Sequence, residues 1–308
     1  MARCPCRRHD ALENGMDLLE QADGAVVVGV DGSQASEQAI DWAAEQAVLE
    51  GRPLTLVHAT GVWSAPPEVD LVALVAAMEA QGDELVSQAR ARVEAAHVIP
   101  DLRSQVVLAD PRAALLDASE VAYLTVIGSR GRGAIKTLVL GSVGLTLSQQ
   151  AHCPVVVRRP HDAEDTGDGL VVGTDLSRHS EVAVDWAFHQ AVVRGLPLTL
   201  VHTVFDGYPA GVVPADDTEH EDRRARLVSL AERFGTRHPG VEVQCELRRG
   251  IPDEALVEAA AGSEMVVVGS HQRRSVLSMM DLNVPKTVIE RAPRFVAVVP
   301  GPGTTERT

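Results

Sequence analysis

The chain alternates short, continuously apolar runs with longer segments whose apolar residues recur at helical spacing. The run Ala25–Asp31 predicts a first strand, and Ser36–Glu50, with Ala39 and Ala43 on one face, predicts the helix after it. The same alternation predicts further strands at Pro53–His58, Gln105–Leu108, Ala122–Ile127 and Val155–Arg158. Because strands that are apolar on both faces and joined by helices form parallel sheets covered on both sides, we expect a doubly wound α/β fold.

The whole pattern occurs twice along the chain. The first strand returns as Leu170–Asp175, and the segment Gly51–His58 returns as Gly195–His202. The repeat predicts two tandem, doubly wound, parallel five-stranded sheets. We expect a disordered leader over residues 1–23, a first domain over 24–158, an exposed and mobile linker over 159–169, and a second domain over 170–301.

The segment after the fourth predicted strand has the features of a phosphate-binding loop. Gly128, Gly131 and Gly141 are followed by Ser142, which begins a helix predicted to run to Gln150. Glycines allow a close approach of the backbone, and a helix N-terminus offers free N–H groups to an anion. The spacing fits neither a Walker loop nor a dinucleotide fingerprint, and a ligand-free, glycine-rich turn is the alternative.

The spacing of these glycines resembles the ATP-binding motif of the universal stress protein family. The resemblance extends over both halves of the chain and implies a tandem, bacterial-type member with an adenine nucleotide alpha hydrolase-like fold. It further implies that the first half binds ATP, together with Mg²⁺. Asp31 ends the first predicted strand, so it should meet the glycine loop in one crevice at the edge of the sheet.

The resemblance also implies a role for each matching residue. Asp31 would contact adenine and ribose, and Ala59 would line the adenine pocket. The phosphates and the ribose would be held by Gly128, Gly131, Gly141, Ser142 and Val143. From the residues alone, Arg130 could offset phosphate charge or could be a solvated loop cation. We expect neither a catalytic residue nor a protein-bound metal at this site.

The second half keeps Asp175 but has lost most of the glycine motif. Gln272, Leu282 and Asn283 stand where the first half has Gly131, Gly141 and Ser142. Leucine adds bulk where a helix N-terminus should face phosphate, so we expect one tightly bound ATP per chain. A weak or different ligand in the second half stays open.

Two histidines, His58 and His202, end the second strand of each repeat. Their repetition favours a packing or hydrogen-bonding role over a catalytic one.

Composition and net charge restrict the cellular location and the classes of partner that we expect. The formal net charge of −15 argues against nucleic acid or an anionic membrane as a partner. No apolar run approaches the length of a membrane span, and the four cysteines show no pairing pattern, so we expect a reduced, cytoplasmic protein. The short apolar fifth strands would be exposed edges, which predicts an internal pseudo-dimer, with a homodimer as a further option.

The predicted function is regulatory ATP binding in a stress response, acting on an unknown protein partner, with slow or absent hydrolysis. Two alternatives stay open at this point. One is an adenylyl-transferring or pyrophosphate-releasing enzyme of the same fold group, and the other is a nucleotide-free interaction scaffold.

Overall fold

The computed structural model describes residues 16–61, 70–129, 141–159, 167–270, 284–292 and 294–301. The chain divides into two compact units, Met1–Arg158 and Arg159–Thr308. Several sequence predictions fall on residues outside the described ranges, namely those for Arg130, Gly131, Gln272, Leu282, Asn283, residues 1–15 and residues 160–166.

The first unit is a five-stranded parallel sheet with helices between the strands. Its elements are α1 (residues 16–22 as described), β1 (Val26–Gly29), α2 (Gln34–Glu50), β2 (Leu54–Ala59), α3 (Leu71–Ala96), β3 (Leu102–Val107), α4 (Pro111–Ala118), β4 (Leu124–Gly128), α5 (Ser142–Gln150) and β5 (Val155–Arg158). The strand order is β3-β2-β1-β4-β5. Val26 pairs with both Leu54 and Leu124, so β1 lies between β2 and β4. The doubly wound parallel sheet predicted from the sequence is confirmed.

The second unit repeats this plan and adds one strand. Its elements are β6 (Leu170–Gly173), α6 (Ser180–Arg194), β7 (Leu198–Val204), β8 (Gly211–Val212), α7 (Glu221–Arg237), β9 (Val243–Arg249), α8 (Pro252–Ala259), β10 (Met265–Gly269), α9 (Val284–Arg291) and β11 (Phe295–Val299). The strand order is β11-β10-β6-β7-β9-β8. Strand β8 runs antiparallel to β9, which corrects the expectation of five strands in this half.

Ion pairs hold the segment that carries β8 against β9. Arg249 donates from Nε to Asp206 at 2.8 Å, and it also pairs with Asp217. His220 Nε2 lies 2.7 Å from the same Asp206 carboxylate. The hydrogen bond with His220 and the neighbouring Arg249 lower the pKa of Asp206 below its ordinary value. A long-range charge cluster of this kind leaves no periodic signal in the sequence.

The strands form because β-branched residues fill both faces of each sheet. Val26, Val28 and Val126 have no solvent exposure. Local signals set the helix ends: the Ser33 hydroxyl accepts the N–H of Ser36 at the start of α2, and Gly51 ends that helix in the left-handed conformation with φ 61°.

The expected disorder over residues 1–23 is wrong for residues 16–22, which are helical. Leu18 and Ala22 of α1 are 2% and 0% exposed. The carbonyl of Gln21 accepts hydrogen bonds from Thr55 Oγ1 at 2.5 Å and Arg103 Nη1 at 2.9 Å. Helix α1 is therefore part of the first unit, because its packing and its hydrogen bonds join it to β2 and β3.

Both described ends of the predicted linker are hydrogen-bonded. Arg159 donates its backbone N–H to the carbonyl of Arg294 at 2.9 Å, and Asp168 donates to Gly262 at 2.8 Å. These two backbone hydrogen bonds tie Arg159 and Asp168 to the second unit; Asp168 is exposed, as expected, and Arg159 is half-buried.

Candidate functional site

The candidate site lies at the carboxyl edge of the first unit, where the C-terminal ends of the parallel strands meet. Val28 pairs with Val126, so the residues that follow β1 come to lie beside those that follow β4. The chain leaves β1 toward β2 on one side, while β4 lies on the other, which makes this the switch point of the sheet. Ligands of open α/β sheets bind at such points.

Asp31 is held in place by the start of helix α2. Its Oδ1 accepts the N–H of Ser33 at 2.9 Å, and its own N–H donates to Ser36 Oγ at 3.2 Å. Gly32 follows with φ 71°, a left-handed conformation in which glycine carries no steric cost. The carboxylate is thus fixed at the carboxyl edge, half-buried, where it can accept a hydroxyl or amino hydrogen from a ligand.

Close packing explains why position 128 is occupied by glycine. A Cβ added there would lie 2.7 Å from the backbone carbon of Ala35 and 2.9 Å from the N atom of Ser36. No side chain fits that space, because the first turn of α2 passes directly over the end of β4. Ser36 therefore contacts both Asp31 and Gly128, which brings these two predicted site residues together.

No side chain of the described residues caps the N-terminus of helix α5. Its N-cap residue, Gly141, is in extended conformation. The N–H of Gly141 itself donates to the carbonyl of Ser129 at 3.1 Å. The first-turn N–H groups, which include those of Ser142 and Val143, have no partner within the helix and can be donated to an anion.

A side chain at Gly141 would cost the fold little. Among the described residues, an added Cβ meets only the carbonyl oxygen of Ser129, at 3.7 Å, and the φ of Gly141 is −72°, which any residue can adopt. A glycine that neither packing nor backbone geometry requires is consistent with a need for space in front of the helix.

Two hydroxyl groups that the sequence analysis missed lie at the same edge. Ser129 is 1% exposed and directly follows β4, while Thr60 directly follows Ala59 at the end of β2. The hydroxyls of both are buried and have no hydrogen-bond partner among the described residues. An unpaired buried hydroxyl costs about 1–3 kcal/mol. The only sequence signal is the position of a hydroxyl residue immediately after a strand.

Ala59 and the neighbouring His58 complete this edge. Ala59 is half-buried and pairs with Val107 of β3. His58 Nδ1 lies 2.7 Å from the carbonyl oxygen of Val30, so the ring joins the ends of β2 and β1. His202 Nδ1 makes the same contact with Thr174 in the second unit, at 2.8 Å. The hydrogen-bonding role predicted for these histidines is confirmed.

The carboxyl edge of the second unit differs in detail. Asp175 Oδ1 accepts the N–H of Ser177 at 2.9 Å, as Asp31 does with Ser33. Leu176, however, adopts φ 61° where the first unit has Gly32. Burial lowers the pKa of His202 below its ordinary value, and the nearby positive charges of Arg223 and Arg226 act in the same direction.

Among the described residues, no group of three or more histidine, cysteine, aspartate or glutamate side chains could hold a metal ion. No helix in that part of the chain is both long enough and apolar enough to cross a bilayer.

Comparisons with known proteins agree with this architecture. A model of the universal stress protein family matches residues 24–159 and 168–300. A universal stress protein of Mycolicibacterium smegmatis is 32% identical over 286 residues, which cover 89% of this chain and 96% of that protein. One from Mycobacterium tuberculosis is 35% identical over 287 residues, covering 88% and 96%.

A solved structure of a universal stress protein from Archaeoglobus fulgidus has a similar fold. It superimposes with a TM-score of 0.69 at 23% identity and covers 94% of this chain and 100% of its own.

Proposed function

Because the chain belongs to the universal stress protein family, we propose that its first unit is a regulatory ATP-binding module. The observation that carries the proposal is the uncapped N-terminus of α5 beside a buried hydroxyl, that of Ser129, which lacks a partner among the described residues. Helix dipole, free N–H groups and hydroxyl would together suit a phosphate.

The proposed roles follow from the positions of the residues. Ser142 and Val143 would donate their N–H groups to phosphate, and Gly141 would leave room for it. Asp31 would accept from the ribose or the adenine amino group, with Ala59 beside the base. Gly128 would act indirectly, because it lets α2 pack over β4. Arg130 and Gly131 are assigned to the site on the sequence motif alone.

Mg²⁺ fits this site as a companion of the phosphates. It takes oxygen ligands in octahedral geometry and usually keeps several waters. The nucleotide phosphates and waters would supply most of its oxygens, and the hydroxyl of Ser142 could supply one more. Mg²⁺ would offset the charge of the phosphates and orient them.

We propose that ATP is held, and that turnover is slow or absent. The described residues at this edge offer N–H groups and hydroxyls, the Asp31 carboxylate, which is fixed by Ser33, and the Asp110 carboxylate, which pairs with Arg112. The Nδ1 atom of His58 faces the carbonyl of Val30 instead of the site. ATP binding would thus shift the equilibrium between conformations of the protein, or its affinity for a partner, as a regulatory ligand does.

Two measurements test the function itself. Protein purified from cells should carry an adenine nucleotide, which mass spectrometry of the released ligand would identify. Multiple turnover of ATP, or pyrophosphate release with added carboxylic acids, would contradict a binding role and favour an enzyme.

Association of the two units through their fifth strands, and a cytoplasmic location, also belong to this proposal. Proteolysis of an introduced cleavage site near Asp165 tests the first. The fragments should remain together at micromolar concentration, and their separation into two soluble monomers would contradict the pseudo-dimer.

The decisive variant is Gly141→Leu. Its side chain would fill the space before α5, and among the described residues only one atom lies within 4 Å of the added Cβ, so the described part of the fold should be retained. ATP binding measured by calorimetry should be lost. Gly235→Leu is the control, since Gly235 in α7 has open space around it. Unchanged ATP affinity in Gly141→Leu would refute the proposed site.

A further inference from the structure

The β8 segment, residues 205–220 between β7 and α7, carries two exposed aromatic side chains. Phe205 is 82% exposed and Tyr208 is 60% exposed, and no other aromatic residue that the structure describes is in the exposed class. Val212 of β8 and Ile251, which follows β9, are 56% and 40% exposed. We call these four residues the aromatic surface. Single apolar residues on a surface are ordinary, but an exposed group that includes aromatic side chains is typical of an interaction surface.

The end of strand β9 brings the members of the aromatic surface together. The N–H of Gly250 donates to the carbonyl of the last residue of β7 at 3.1 Å, so the residues that follow, Ile251 and Phe205, leave their strands side by side. The guanidinium carbon of Arg249 lies 5.1 Å from the centre of the Tyr208 ring. Strand β8 pairs with the last two residues of β9, which places its exposed valine at the same end of the strand.

Hydrogen bonds and buried side chains hold the β8 segment against β9. Asp206 accepts from Arg249 Nε at 2.8 Å, and its Oδ1 accepts the N–H of Tyr208 at 3.1 Å. The N–H of Val213 donates to the carbonyl of Leu247 at 2.8 Å, and both of these side chains are buried. Because the aromatic side chains stand on a supported segment, less conformational entropy is lost when a partner binds them.

Exposed acidic residues lie beside the aromatic surface. Asp216 and Glu219 are exposed, form no ion pair with a described residue, and have no lysine or arginine within three positions along the chain. Asp217, between them, pairs with Arg249, the arginine that stacks on the Tyr208 ring. Negative charge without a partner among the described residues is therefore close to the exposed aromatic side chains.

We infer that the aromatic surface docks a cationic peptide segment of another protein, one that combines lysine or arginine with apolar residues. Aromatic rings accept both apolar side chains and the faces of guanidinium groups, and the carboxylates of Asp216 and Glu219 would attract the positive charges. A second copy of this chain fits less well, because it would bring the same acidic residues and a net charge of −15. The inference uses no residue of the proposed ATP site and does not depend on it.

The test selects peptides from a random library displayed on phage, with the full chain immobilised and no nucleotide present. The enriched peptides should combine lysine or arginine with apolar residues. A synthetic copy of the most enriched peptide, measured by fluorescence anisotropy, should bind Phe205→Ser/Tyr208→Ser about tenfold more weakly or worse. The control Val72→Ser/Val98→Ser removes two valines of the first unit that are 80% and 90% exposed, and it should bind the peptide as the wild type does.

The acidic residues are tested separately. Asp216→Asn/Glu219→Gln should weaken binding of the same peptide about threefold or more at low salt, and less at high salt, because exposed charges are screened. The control Glu79→Gln/Asp83→Asn removes the same charge from exposed positions of α3 and should leave the affinity unchanged. Circular dichroism of each variant checks that the fold is retained.

Four results would overturn the inference. The first is a selection that enriches no cationic, apolar peptides, and the second is a peptide that binds the aromatic variant as tightly as the wild type. The third is an equal loss in both charge variants, which would mean attraction by net charge alone. The fourth is a concentration-dependent dimer that the aromatic variant abolishes, since the occupant would then be a second copy. A chain that fails to bind ATP leaves this test unaffected, because the selection is made without nucleotide.

Discussion

The two units share a sheet plan but differ at their carboxyl edges. A Cβ at Gly128 would collide with the backbone of Ala35, whereas a Cβ at the matching Gly269 would find its nearest neighbour among the described residues, Ala183 Cβ, at 3.9 Å. Gly32 becomes Leu176 while the left-handed backbone is kept. The comparison shows that the repeat preserves the sheet, which depends on buried strands. The residues at the carboxyl edge of the sheet differ in chemistry between the two units.

The largest expected difference between the units is in ATP binding. The first unit should bind one ATP at least about a hundredfold more tightly than the second, because several charge-assisted contacts of about 1.5–3 kcal/mol each are missing there. Titration calorimetry should give a stoichiometry near one. Asp31→Ala should weaken binding, and Asp175→Ala should leave the tight site unaffected. Two equivalent sites per chain would show that the units do not differ in this way.

The next difference concerns the two matching glycines. Gly128→Ala should destabilise the first unit by about 2–3 kcal/mol, because the added methyl group must displace backbone atoms of α2. Gly269→Ala should change stability by less than about 0.5 kcal/mol, since no described atom lies closer than 3.9 Å to the added methyl group. Hydrogen exchange measured by mass spectrometry reports the opening of each unit separately. Equal effects would mean that α2 and α6 approach their sheets equally closely.

A smaller effect is expected from the left-handed residues. Leu176→Gly should stabilise the second unit by about 0.5–1 kcal/mol, as relief of strain exceeds the entropy that glycine adds to the unfolded chain. Gly32→Ala, the reverse change in kind, should destabilise the first unit by about 1 kcal/mol. Denaturant melts of both variants provide the check. A destabilised Leu176→Gly would mean that packing of the leucine outweighs its backbone strain.

The smallest effect is a pH dependence that belongs to the second unit. The pKa of His202 is lowered in the folded state, first by burial and then by Arg223 and Arg226. The unfolded chain therefore binds the proton more readily, so this contribution to stability is present above about pH 6.5 and is lost as the pH falls through the folded-state pKa. His202→Gln should flatten the stability profile of the second unit between about pH 7 and pH 5. If the variant shows the same pH dependence of stability as the wild type, that dependence belongs to other titratable groups.

Sequence reasoning succeeded where the signal was local and failed where it was not. Strand β2 was predicted at Pro53–His58 and is found at Leu54–Ala59, because its run of buried residues is continuous. For β3 only the last part of Leu102–Val107 was predicted, since this strand begins with polar and half-buried residues. Strand β8 was missed, because only two residues form it and ion pairs to Arg249 hold its segment.

The same division applies to the candidate site. Asp31, Ala59, Gly141, Ser142 and Val143 could be placed from the sequence, because each lies at the end of a strand or the start of a helix. The unpaired hydroxyls of Thr60 and Ser129 could not be found, since only the described structure shows which groups lie within bonding distance of them. The steric requirement for glycine at position 128 was also missed, because it depends on where α2 crosses β4.

The sequence by itself determined the order of elements, the repeat, the parallel sheet and the position of the glycine motif. Those features follow from hydrophobic period and turn residues, which act over a few neighbours along the chain. Only the tertiary structure decided that residues 16–22 pack on the first unit, that Gly128 leaves no room for a side chain, and that the ring of His202 contacts the carbonyl of Thr174. Each of these depends on segments that are distant in sequence and close in space, and their contacts are set by packing that no local pattern encodes.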